Sequence, residues 1–71
     1  MIDWQKCALD IQNAGVALSR AAPQCGMDAM TLQRLARGEV KEPRFSQGLE
    51  LLNLHVDLCG EQRTAELRVQ A

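Results

Sequence analysis

The sequence predicts an all-α protein, a compact bundle of four to five helices. Three observations carry that expectation. Apolar residues recur at three- and four-residue spacing through most of the 71 residues, the stripe of an amphipathic helix. Aspartate or glycine punctuates those stripes where helix caps belong. Trp4 and Phe45 are the only aromatics, so the core is aliphatic and β-propensity is low. The length fits one domain, since single compact units span about 50–200 residues.

The first stripe is Trp4, Cys7, Ala8 and Ile11, with Asp3 as N-cap and Asn13-Ala14-Gly15 as stop,. A second covers 17–25 through Leu18, Ala21, Ala22 and Cys25. Pro23 complicates it, because a proline beyond the first turn removes a hydrogen bond and crowds the carbonyl four residues back. With Ser19 as N-cap, Pro23 falls at the fourth helical position, which predicts a late start or a bend. Gly26 makes a turn. The third helix starts at Asp28, an N-cap whose charge suits the positive end of the helix dipole. Its inward positions are Leu32, Leu35 and Ala36; Met30, Gln33, Arg34 and Arg37 form an outward face, and Gly38 ends it,.

Pro43 is placed as the first residue of a fourth helix over 43–59. Phe45, Gly48, Leu49, Leu52, Val56 and Cys59 form one apolar stripe there, and Leu51, Leu54 and Leu58 a second beside it. So wide an arc is buried on two sides, one against the domain and one against a partner chain. The segment Leu52-Asn-Leu-His-Val-Asp-Leu58 also alternates as a strand does, and Ala65, Leu67 and Val69 alternate after it. A C-terminal β-hairpin after residue 52 is therefore the minority alternative. The sequence divides into a domain over 1–59 and a tail over 60–71 whose structure is undecided.

No apolar run approaches the ~20 residues that cross a bilayer, and the N-terminus lacks the pattern of a signal peptide. The expectation is a cytoplasmic protein, associated with the nucleoid when bound to DNA. Cys7, Cys25 and Cys59 show no C-x-x-C spacing and read as reduced core residues. The net charge of −1 is uneven. Residues 16–45 hold five cations (Arg20, Arg34, Arg37, Lys41, Arg44) against three anions (Asp28, Glu39, Glu42), and acidic residues prevail on both sides. A polyanion, if bound, is bound by the middle of the chain.

Chemistry points the same way. His55 is the sole histidine, and no phosphate loop, Ser-His-Asp set or carboxylate pair stands at useful spacing, so no enzyme is expected. His55 and Cys59 are four residues apart, but two ligands do not make a metal site. No cofactor or small-molecule ligand is predicted.

Two short helices joined by a glycine turn, the second displaying polar and basic residues, form the helix-turn-helix of DNA-binding proteins. Ala22 supplies the small residue at the helix crossing, and Ala21, Cys25, Met27, Leu32 and Leu35 fill the buried positions. The outward face then reads as a recognition surface. Ala29 and Met30 suit thymine methyls, Gln33 suits adenine, and Arg34 suits guanine or a phosphate. Ser19, Arg20, Arg37, Lys41 and Arg44 suit backbone phosphates. One half-site discriminates weakly, so a homodimer is expected, with Leu51, Leu54 and Leu58 as its interface.

The run Leu18-Ser-Arg-Ala-Ala-Pro-Gln-Cys-Gly-Met-Asp-Ala-Met-Thr-Leu-Gln-Arg-Leu-Ala-Arg-Gly38, with Lys41-Glu-Pro-Arg-Phe45 and the Leu49, Leu52 register, resembles the Cro and phage-repressor group, often called XRE-like. The resemblance spans roughly residues 9–58. It implies a bundle of four or five helices, dimeric binding to double-stranded operator DNA, and transcription regulation, usually as a phage or prophage repressor. Pro23 departs from the family pattern, as does Ala29, where Gln is common. The alternative of a different class is a protein-interaction module of the same fold, an anti-activator or regulator subunit that does not read DNA.

Overall fold

The computed structural model describes residues 2–68 and contains five helices over that span, α1 (Trp4–Asn13), α2 (Leu18–Gln24), α3 (Ala29–Ala36), α4 (Phe45–Cys59) and α5 (Glu61–Ala65). The all-α bundle with its helix-turn-helix is as the sequence predicts. Asp3 caps α1 by accepting a hydrogen bond from the Lys6 amide (3.1 Å). Cys7, Ala8 and Ile11 are buried on its inner face, and Gly15, at φ 95°, releases the chain beyond it.

α2 differs from expectation at its start. It opens at Leu18 behind an extended Ala17, so Ser19 lies inside the first turn and Pro23 is the sixth helical residue. The omitted bond is the one Pro23 would have donated to the Ser19 carbonyl. Both residues are exposed at the surface, so one backbone bond is lost without a buried polar group being left bare. The helix then closes in a Schellman turn: the Gly26 amide donates to Pro23 (3.2 Å) and the Met27 amide to Ala22 (3.0 Å), with Gly26 at φ 71°,. Ala22 and Met27, the residues that flank that turn, are both buried.

Pro43 is not the first residue of α4. The helix begins two residues later behind an extended Arg44, whose amide donates to Gln47 Oε1 (3.3 Å). Pro43 instead packs its ring, with Trp4, over Gly48. A β-carbon at residue 48 would stand 2.9 Å from the Trp4 ring and 3.4 Å from the Pro43 ring, so glycine is what lets the indole lie on α4.

The inward face of α4 also differs. Gly48, Leu51 and His55 are buried, which places the core arc between the two predicted stripes. The reason is His55, which hydropathy assigns to solvent. Its Nε2–H donates to Asp10 Oδ2 of α1 (2.9 Å), and Nδ1 lies against Thr64 Oγ1 of α5. The Thr64 hydroxyl also reaches the Gly60 carbonyl (3.0 Å). A fully buried imidazole with both nitrogens engaged is compatible with a core position. The helix rotates accordingly.

Residues 52–59 are helical throughout, so the β-hairpin alternative does not form. The tail is part of the domain as far as Arg68. Leu67 is fully buried in the core, the Asp3 amide donates to its carbonyl (2.7 Å), and Ile2 and Arg68 form an isolated antiparallel bridge. Residues 69–71 of the predicted tail lie outside the described residues. All three cysteines are free. Burial, with Asp10 nearby, pushes the Cys7 thiol up to about 12, and burial raises Cys25 and Cys59 as well.

Asp10→Ala removes the partner of a buried ring nitrogen and is expected to lower unfolding free energy by about 1–3 kcal/mol. Asp10→Asn keeps an acceptor and is expected to lose less. Chemical denaturation of both variants checks the order.

Candidate nucleic-acid interface

α3 is positioned by its ends and its inner face. At its start, Asp28 Oδ1 accepts from the Thr31 amide (3.1 Å). Hydrogen bonding from Thr31, through its side chain and then its backbone, holds the Asp28 carboxyl below its ordinary value. At its end a second Schellman turn forms, with the Gly38 amide donating to Leu35 (3.1 Å) and the Glu39 amide to Arg34 (2.9 Å), and Gly38 at φ 80°,. Leu32 and Leu35 are fully buried and Ala36 nearly so, which seats the helix on α1 and α2. One more tie comes from α4, where Gln47 Nε2 donates to the Gly26 carbonyl (3.3 Å).

The outer face follows from that seating. Met30 is 53% exposed, and Arg34 and Arg37 are exposed along the same side. Ala29 is half-buried and packs against the core edge, so its methyl is only partly presented. Gln33 is half-buried and shares a shallow groove with Ser19 and Arg37, between α3 and the start of α2. The structure thus brings Ser19, Gln33 and Arg37 together, while Met30 and Arg34 stand freer of neighbours. Arg37 also lies 3.7 Å from Glu39, both well exposed, a pairing of little energetic weight. Arg20 is exposed on α2, and Lys41 and Arg44 are exposed on the loop between α3 and α4. Arg44 lines a second depression with Asp28, Thr31 and Gln47.

The arrangement is a short helix held rigidly at both ends, with an apolar tip at Met30, a guanidinium one turn on at Arg34, and cations on either flank. Such a face offers thioether and guanidinium contact to base edges and cationic contact to phosphates. The Asp28 carboxylate takes the Thr31 amide at the start of α3 and sets a negative charge there, so the cations of this face are side chains.

One residue of the expected dimer interface needs correction. Leu51 is fully buried in the core and presents nothing to a partner. Leu54 is half-buried against that core, and Leu58 is at the margin of exposure, beside Asn13, Cys59 and Arg63. The exposed apolar edge of α4 is instead the other stripe, with Phe45 at 83% and Leu49 at 47% exposure, followed by half-buried Leu52 and Val56. Gln47, which ties the turn to α4, escapes sequence reasoning; a polar residue three places after the N-cap is its only signal.

Among the described residues no group of three or more metal-ligating side chains comes together, and no helix is long and apolar enough to cross a membrane. Comparisons of the chain with protein-family models, with curated proteins and with solved structures match nothing.

Two outcomes follow from the way α3 is seated. Gly26→Ala forces a β-carbon into a left-handed turn and is expected to cost about 1–2 kcal/mol, with Gly26→Asn costing less; thermal melting ranks them. The depressed folded-state value of Asp28 stabilises the fold above the ordinary carboxylate range, and the effect is lost as pH falls through the folded value. Asp28→Asn retains a cap without the charge. Its stability deficit relative to wild type is therefore expected at neutral pH, should begin to shrink below about pH 4 and should be gone once pH has fallen past the folded value, as read by denaturation at each pH.

Proposed function

We propose that the protein is a sequence-specific DNA-binding transcriptional regulator of the Cro and phage-repressor kind, which occupies operator DNA as a homodimer in the cytoplasm. The observation that carries the reading is α3 itself. It is fixed by a glycine turn across α2 and presents Met30 and Arg34 outward, with Lys41 and Arg44 on the loop that follows. That is the geometry a recognition helix needs to enter a major groove.

In this reading Met30, with the edge of Ala29, meets thymine methyls, and Arg34 pairs with guanine O6 and N7. Gln33 sits on the α2 side of the helix beside Ser19 and reads adenine from the groove's edge. Lys41 and Arg44 on one side, and Ser19, Arg20 and Arg37 on the other, neutralise phosphates and set the docking angle. Two copies present their helices about one DNA turn apart, ~34 Å, and bound dimers repress by occluding a promoter.

The second reading, a protein-binding module of the same fold, draws on exposed Phe45 and Leu49 and on the acidic balance outside residues 16–45. Salt separates the two, because phosphate neutralisation makes affinity fall steeply as salt rises.

The test is selection of bound sequences from a random duplex library at two salt concentrations. A two-fold symmetric site should enrich. Arg34→Ala should relax preference at one position per half-site by roughly 1–3 kcal/mol. Lys41→Ala should weaken all sequences alike and flatten the salt dependence by about 0.9 for each phosphate that it leaves without a cation. Failure of the folded protein to enrich any sequence at low salt sinks the reading.

A further inference from the structure

The N-terminal end of α4 carries an apolar projection and an apolar depression side by side. Phe45 is 83% exposed although it opens a helix whose start is pinned by the bond from the Arg44 amide to Gln47, so the ring is held out on ordered backbone. Leu49, Leu52 and Val56 continue the same line along α4 at helical spacing,. Beside it lies a groove of 410 Å³ walled by Ile2, Trp4, Pro43 and Leu52. Gly48 also lines it, beneath the Trp4 indole and the Pro43 ring, which lie where its β-carbon would stand.

The geometry points to a reciprocal homodimer in which Phe45 of each chain enters the groove between Trp4 and Leu52 of the other. It rests on the DNA-reading proposal only for the purpose of pairing, and it replaces the interface that the sequence suggested.

Three features select a second copy as the occupant. Projection and depression adjoin on one face, which is what a two-fold, self-complementary interface requires, since each patch must serve as both donor and receiver. The groove's rim is also self-complementary in charge. Glu42 and Arg44 both line it, on either side of Pro43, so a two-fold rotation about Phe45 sets the carboxylate of one chain opposite the guanidinium of the other. A polyanion fits poorly, because Glu42 stands at the groove and Glu50 and Asp57 are exposed further along α4. Arg44 then serves the interface in place of the phosphate contact assigned to it in the DNA reading, and Lys41, at the edge of the same loop, remains outside the pairing and free to face DNA.

Sedimentation equilibrium of the full chain without DNA tests the interface. Wild type should associate into dimers with rising concentration. Phe45→Glu should weaken association ~30-fold, as for a central aromatic anchor, while its helical circular dichroism and melting stay near wild type because the residue is exposed. Glu42→Arg should weaken it about 5-fold, and Glu42→Arg combined with Arg44→Glu should restore it. A chain that stays monomeric at the highest concentration, or a dimer indifferent to Phe45→Glu, overturns the proposal. Failure of the charge exchange to restore pairing overturns its two-fold register. A dimer of this kind that enriches no DNA sequence sinks the DNA reading alone, whereas a symmetric site bound equally well by Phe45→Glu sinks this interface alone.

Discussion

The rest of the architecture depends on one buried polar pair, Asp10 with His55. Burying a carboxylate and an imidazole separately is costly, and here each partners the other, with Thr64 at the second ring nitrogen and Arg63 3.8 Å from the second carboxylate oxygen,. That condition fixes the rotation of α4 against α1 and turns Leu51 inward. It also supplies the Thr64 contact that brings α5 back over the bundle. Once α5 is placed, Leu67 reaches the core and its carbonyl takes the Asp3 amide. Both ends of the described chain are thereby fastened to each other. An aliphatic core of this size has little else with which to specify a unique packing, since leucine, alanine and cysteine contacts are nearly interchangeable in direction.

Legibility in the sequence follows from the range of the interactions. Helix ends are readable because caps are local chemistry. Asp3 and Asp28 each bond an amide three residues on, and Gly15, Gly26 and Gly38 take the left-handed geometry that follows a helix. The outward placement of Met30, Arg34 and Arg37 is readable for the same reason, since periodicity needs no tertiary knowledge. Asp10 and His55 are not, because they lie 45 positions apart and each alone resembles a solvated residue. The unexpected rotation of α4 follows directly. Leu51 goes inward and Phe45 outward, the reverse of what counting apolar residues suggests. The alternation over 52–58 points to a strand only when His55 is counted as polar and exposed.

The short helix α2 illustrates a different limit. Pro23 looks like a reason to delay or bend it, yet the helix begins earlier, at Leu18. In a helix of seven residues at the surface a single missing bond costs little, whereas Leu18, Ala21 and Ala22 all need to reach the core. Packing overrides local preference there. A half-buried Gln33 and a partly covered Ala29 are consequences of the same close seating of α3 on α2, which a helical wheel cannot express.

Gln47 joins two regions that periodicity treats as unrelated. Its carbonyl oxygen holds the Arg44 amide and its amide nitrogen holds the Gly26 carbonyl, so one side chain spans from the first turn of α4 to the hinge between α2 and α3. The start of α4 and the seating of α3 are thus linked by a side-chain crossbar as well as by the loop between them. Displacement at either end is felt at the other through that side chain, alongside the loop over 38–44, which is itself held by the left-handed Gly38 and by Pro43 on Gly48.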